Sequence, residues 1–194
     1  MGRAKEFDTE SVLRKAMAVF GEHGYEGTSL TILLDQLGIA RQSLYDTYGT
    51  KYDLFFSAIQ LYIRDKTEAV VHLLSQPGSI KDAIAMIFNE SVRVLMDKRL
   101  SKECFIMNSA IEQAPHHHEI KAFITENTEK LELAFYNALV RAQSEGEIHA
   151  TESELLSIAR FLNHARLSLT FTAKTGASPE VLRDVVRTTL SILE

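Results

Sequence analysis

Three neighbouring side chains that can hydrogen-bond outward, Arg41, Gln42 and Ser43, stand at the expected start of a short helix. Their chemistry suits base edges. Arg forms bidentate pairs with guanine and Gln with adenine, and a helix lying in a major groove reads with residues near its N-terminus. The plainer reading is an exposed helix start carrying ordinary polar side chains. Other reactive side chains offer less. His116, His117 and His118 are adjacent at a helix start, so they do not converge on one ion, and no second cluster with ligand spacing accompanies them. Cys104 is the single cysteine and sits in an apolar run, which fits a buried inert thiol better than an oxidant sensor. There is no glycine-rich phosphate loop, no nucleophile elbow and no carboxylate pair in a recognisable frame, so no catalytic residue, cofactor or metal is expected.

The elements that must position Arg41 to Ser43 follow from hydrophobic spacing. Leu30, Leu33, Leu34 and Leu37 recur at helical intervals, Gly38 gives the freedom a tight helix–helix turn needs, and Ile39 and Leu44 anchor both sides of it. Thr28 is expected to cap this helix, and the next spans about Arg41 to Tyr48. An earlier helix runs from about Thr9 to His23 on Val12, Leu13, Ala16, Val19 and Phe20, ended by Gly24. A long fourth helix is expected from Lys51 to about Leu74. Further helices follow over 79–97, 102–113, 117–144, from Thr151 or Ser153 to Lys174, and from Ser178-Pro179 to Leu193.

Residues 9 to 56 resemble the DNA-binding domain of the tetracycline-repressor-like (TetR) family of bacterial transcriptional regulators. The resemblance rests on Ala18-Val19-Phe20, Gly24-Tyr25-Glu26-Gly27-Thr28-Ser29-Leu30 and Leu37-Gly38-Ile39, then Ser43-Leu44-Tyr45, Tyr48-Gly49-Thr50-Lys51 and Asp53-Leu54-Phe55, in the right order and spacing. Four positions depart from the pattern. Ala40 stands where Ser or Thr usually caps the reading helix, a loss of roughly 1 kcal/mol. Leu34 replaces a usual Ala and must push the helices apart or turn outward. Asp46 and Thr47 replace aromatic or His residues, and Asp46 is expected to point sideways or to accept from a cytosine amino group.

The resemblance implies an all-α fold of about nine helices. Residues 1–52 would form a three-helix helix-turn-helix domain, and residues 53–194 a helical ligand-binding and dimerisation domain. It implies phosphate contacts from Thr28, Tyr45, Tyr48 and Lys51, of which Tyr48 is the weakest because an aromatic there usually packs the small core. Thr47 completes the DNA-facing set. Arg3 and Lys5 are candidates for an adjacent minor groove. The same resemblance implies a ligand cavity among the middle helices, with Tyr62, Phe88, Phe105, Asn108, Phe135, His164 and Arg166 as candidate contacts; sparse polar groups amid apolar ones are the pocket signature.

The late helices are apolar on more than one face. One stripe is Leu155, Ile158, Ala159, Leu162 and Leu169; a second is Leu156, Phe161, Ala165 and Phe171. A surface helix needs only one, so the second is expected to bury in a symmetric homodimer joined by the last two helices, the alternative being a deep core helix of a monomer.

Bulk properties set the limits. The 194 residues are 45% hydrophobic and 24% charged, and no stretch approaches the roughly twenty apolar residues of a membrane helix. The N-terminus lacks a secretion-signal core, and a single cysteine suits a reducing cytoplasm. The net charge is −5, and residues 1 to 55 carry fewer bases than acids, unlike many nucleic-acid domains. Few charged phosphate contacts and a shallow salt dependence are therefore expected. The reading these features favour is a dimeric regulator, a repressor released from a palindromic double-stranded operator by an apolar or amphipathic small molecule. The alternatives are an activator, or a small-molecule-binding or enzymatic helical protein whose helix-turn-helix is vestigial.

Overall fold

The computed structural model describes residues 8–194, which hold ten helices and no strand. They are α1 (Thr9–Gly27), α2 (Leu30–Leu37), α3 (Arg41–Tyr48), α4 (Lys51–Ser75), α5 (Ile80–Met96), α6 (Leu100–Cys104), α7 (Ile106–Gln113), α8 (His118–Ser144), α9 (Glu152–Lys174) and α10 (Pro179–Ser191). No helix among the described residues is long and apolar enough to cross a membrane. The tenth helix arises because the stretch expected as one helix over 102–113 is two. At Phe105 (ψ −12°) the ladder tightens, and the Asn108 N–H donates to the Phe105 carbonyl three residues back.

The helices form two compact units. One comprises the described residues up to Ile63 together with Arg99–Lys121. The Asp8 carboxylate accepts from the Glu10 N–H at the start of α1, and Val12, Ala16, Met17, Val19 and Phe20 form its buried stripe. Gly24 breaks the regular helix at φ 74°, ψ 169°. Phe20 meets Phe55 edge-on, with ring centroids 4.9 Å apart, and Leu33, Leu37, Leu44 and Leu54 complete a core closed to solvent. This unit is larger than residues 1–52 because α6 and α7 dock on α1. The Ser109 hydroxyl donates to the Phe20 carbonyl at 3.0 Å in a buried position, and Lys102 pairs with Glu22 at 2.8 Å. The approach is closest at Gly21. A Cβ there would lie far inside van der Waals contact of the Lys102 carbonyl oxygen and 3.0 Å from the Ile106 amide nitrogen.

The second unit comprises Arg64–Lys98 and Ala122–Glu194. Its core is built from Ile84, Phe88 and Val92 of α5, Phe135 and Leu139 of α8, Leu155, Ala159 and Leu162 of α9, and Leu182 and Val186 of α10. Caps fix the element starts. Ser79 accepts at α5, where the Glu147 carboxylate also takes the Ile80 and Lys81 N–H groups. Thr151, rather than Ser153, opens α9 through a reciprocal box with Glu154, and Ser178 with Pro179 opens α10.

Candidate nucleic-acid interface

Helix α3 is placed by its own apolar anchor. Leu44 is fully buried, so α3 must present Arg41, Gln42, Tyr45 and Asp46, which are all exposed, on its outer side. Gly38 makes the turn before it at φ 66°, ψ 33°, and its N–H donates to the Leu34 carbonyl. Leu34 itself is half-buried while Leu33 and Leu37 are fully enclosed, so the larger residue has turned partly outward. Ala40 occupies the N-cap position and supplies no side-chain acceptor, as its residue type requires.

Two pairs spaced one helical turn apart brace the exposed face. The Gln42 amide donates from Nε2 to Asp46 Oδ1 at 2.7 Å, so Asp46 does point sideways. The Arg41 guanidinium lies 5.8 Å from the Tyr45 ring centroid, a cation–π contact. Ser43 and Thr47 are half-buried on the flanks. At the start of α4, Lys51 Nζ is held 4.2 Å from the Tyr25 ring centroid.

Two expected phosphate contacts are corrected. Thr28 neither caps α2 nor faces outward: it is fully buried and its hydroxyl donates to the Gly24 carbonyl, while Ser29 accepts from Ile32 N–H as the true cap. Tyr48 donates its hydroxyl to the Thr9 carbonyl at 2.8 Å and thereby ties α3 to α1; a phosphate can only accept, and Tyr48 has no second proton to give. Burial, followed by the nearby Asp8 charge, raises the Tyr48 pKa, so the phenol stays protonated. Arg3 and Lys5 lie outside the described residues.

The turn from α3 into α4 depends on Asp53. Its carboxylate accepts from the Thr50 hydroxyl at 2.6 Å and from the Thr50 N–H at 2.7 Å, and these bonds hold its pKa below the ordinary 3.8. A carboxyl depressed by folding lends stability that is present above its unfolded pKa and is lost as pH falls through the lower, folded value. Asp53→Asn should therefore lower the thermal midpoint at neutral pH, with the gap to the parent closing as the pH is taken from about 5 to about 2. A gap constant with pH would show that Asp53 acts only through shape.

A three-helix head with an exposed Arg-Gln start on its third helix is the geometry of a helix-turn-helix, and the comparisons agree. The family model for bacterial regulatory proteins of the tetR family matches residues 12–58. The HTH-type transcriptional regulator YezE of Bacillus subtilis (strain 168) is 53% identical over 194 residues, covering all of both chains. The chain belongs to the TetR family of bacterial regulatory proteins. The HTH-type transcriptional repressor ComR of Escherichia coli (strain K12) is 30% identical over 98% of this chain and 91% of its own. Among solved structures, a cysteine mutant of the TetR-family regulator CifR, complexed with 26bp double-strand operator DNA, has 26% identity and a TM-score of 0.79, covering 98% of each chain. This TetR-family chain is thus a DNA-binding transcriptional regulator of the helix-turn-helix type.

The candidate ligand contacts divide between the two units. Tyr62, Phe105 and Asn108 lie in the first, where all three are half-buried and Asn108 Nδ2 is enclosed without a hydrogen-bond partner. Phe88, Phe135, His164 and Arg166 lie in the second. Phe88 and Phe135 are fully buried core and Arg166 is half-buried. His164 is corrected: it is a surface residue, its side chain 63% exposed, paired at 3.5 Å with Glu132, which also meets Arg160. The sequence reading missed Asn163, which is fully buried, donates to the Thr128 carbonyl at 3.4 Å, and has an Oδ1 with no partner. Its signal was a lone polar residue beside Leu162 on the inner face of α9. His117 stacks on Tyr52, whose hydroxyl donates to Glu119 at 2.8 Å, and no group of three ligand-type side chains converges on a metal position among the described residues.

Proposed function

We propose that this protein is a transcriptional repressor. As a homodimer joined through α9 and α10, it occupies a palindromic operator with the two α3 helices in the major groove, and a small apolar or amphipathic molecule releases it. The observation that carries the DNA reading is the fully buried Leu44 under an exposed Arg41-Gln42 pair at the start of α3. Arg41 then reads guanine and Gln42 adenine, with Ser43, Tyr45, Thr47 and Lys51 as neighbouring polar contacts. Two-fold symmetry asks for half-sites roughly 34–36 Å apart, or a multiple of that spacing. The repressor sense draws on the relative named as a repressor, and operator binding draws on the CifR complex.

The dimer draws on the apolar residues left uncovered in the protomer: Leu156, Phe161 and Phe171 on α9 and Val181 on α10. Their exposure is the opposite of what a deep monomeric core helix would show. The effector reading draws on the second unit, whose buried residues include Phe88, Phe135 and Asn163 with its partnerless Oδ1. The cytoplasm is the compartment such a regulator works in.

The test is a footprint of the purified protein on DNA flanking its own gene, at two salt concentrations, with Arg41→Ala beside it. The expected result is protection of a palindrome, lost in the variant, with a shallow fall in affinity as salt rises. Protection unchanged by Arg41→Ala would remove α3 from the reading role. No palindrome on any genomic fragment would leave the vestigial helix-turn-helix as the surviving reading.

A further inference from the structure

A glutamine that reads adenine must offer one N–H to N7 and its carbonyl oxygen to the N6 amino group, both from one edge. A free Gln side chain turns its amide over at little cost, and the flipped amide offers the wrong pattern. On α3 a neighbouring carboxylate restricts this freedom. Gln42 donates an Nε2–H to Asp46 Oδ1 at 2.7 Å, and an ionised carboxylate can only accept, so the Asp46 side of the amide has to be its NH2 group. The remaining N–H and Oε1 are left for a base edge, on an exposed side chain at the second position of the reading helix.

Asp46 is otherwise badly placed for a protein meeting phosphates, because it adds an exposed negative charge to the reading helix. The Gln42 pairing gives it a role that justifies that charge.

We propose that Asp46 is a specificity-determining positioning residue: it fixes the Gln42 amide so that each protomer demands adenine at one symmetric pair of operator positions. This rests on α3 reading an operator, as proposed above.

The experiment is selection from a randomised duplex library with the full-length parent, Gln42→Ala, Asp46→Ala and Asp46→Asn, followed by binding titrations on the selected site and on unrelated duplex. Circular dichroism melts confirm that each variant is folded. The parent is expected to select a palindrome with adenine at one symmetric pair of positions, preferred by about tenfold or more. Gln42→Ala and Asp46→Ala should both flatten that preference and leave the other positions unchanged. Asp46→Asn, which can both donate and accept, should flatten it partly. Asp46→Ala should also bind unrelated duplex as tightly as the parent or more tightly, because a negative charge has gone. A merely structural lesion would weaken binding everywhere, and that outcome overturns the proposal. So does an Asp46→Ala protein that keeps the parent's preference at the Gln42-dependent position, or a parent that prefers another base there. A parent that selects no palindrome overturns the operator reading itself, and because it is read in the unmutated protein it is distinguishable from failure of the Asp46 role.

Discussion

Gly21→Ala should lower the thermal midpoint by several degrees, although in an ordinary helix interior the same change stabilises. Alanine is the better helix former by about 1 kcal/mol. Here its methyl group would be driven into the Lys102 carbonyl oxygen and against the Ile106 amide, both backbone atoms of α6 and α7. No rotamer change can clear a backbone atom, so α1 must separate from α6. Overpacking of this kind costs roughly 1–3 kcal/mol, occasionally more. For a chain of this size each kcal/mol moves the midpoint by about 2–4 °C. The control is Gly27→Ala, whose Cβ would meet only the His23 Cβ at 3.9 Å, and which should leave the midpoint unchanged or raise it. Melting followed by circular dichroism decides the matter. Equal midpoints for the two variants would mean that α1 and α6 are less closely apposed than described.

Phe161→Glu combined with Phe171→Glu should convert the proposed dimer to a monomer at micromolar concentration. The two rings are 49% and 64% exposed in the protomer. Burying a Phe contributes about 1.5–3 kcal/mol, and two-fold symmetry counts each residue twice. Losing both rings therefore weakens association by a hundredfold at the least, before any repulsion between the new carboxylates. Operator affinity should fall with it, since a lone head keeps only one half-site. Sedimentation velocity and operator titration on the same samples make the check. A variant that still sediments as a dimer would place the interface elsewhere on the protein.

How much of this was legible in the sequence depends on the range of the interaction. The start of α3, the left-handed turn at Gly38 and the absent cap at Ala40 are local, set by residue type within a few positions. The second apolar stripe of α9 was also legible, because a surplus of apolar residues on one helix shows in its spacing alone. Thr28 and Ser29 are adjacent hydroxyls, and composition cannot say which one caps; the chain settles it by burying Thr28 under the Gly24 carbonyl. Tyr48 finds its acceptor thirty-nine residues earlier, at Thr9, and Gly21 is explained only by a backbone eighty-one residues later, at Lys102. Neither partner can be inferred from spacing. The break at Phe105 likewise has no helix-breaking residue to announce it, and it falls where α6 and α7 pack on α1.

The braced pairs on α3 also affect when disorder is lost. A free Arg or Gln at an interface surrenders its rotamer freedom on binding, at about 0.5–1.5 kcal/mol for each side chain immobilised. Arg41 against Tyr45 and Gln42 against Asp46 give up part of that freedom when the chain folds. The entropy falls before DNA is met, and in a two-fold complex it is saved four times, once for each braced reader. A helix only eight residues long, without a side-chain cap, can in this way hold its side chains ready for a duplex more firmly than its own ends would suggest.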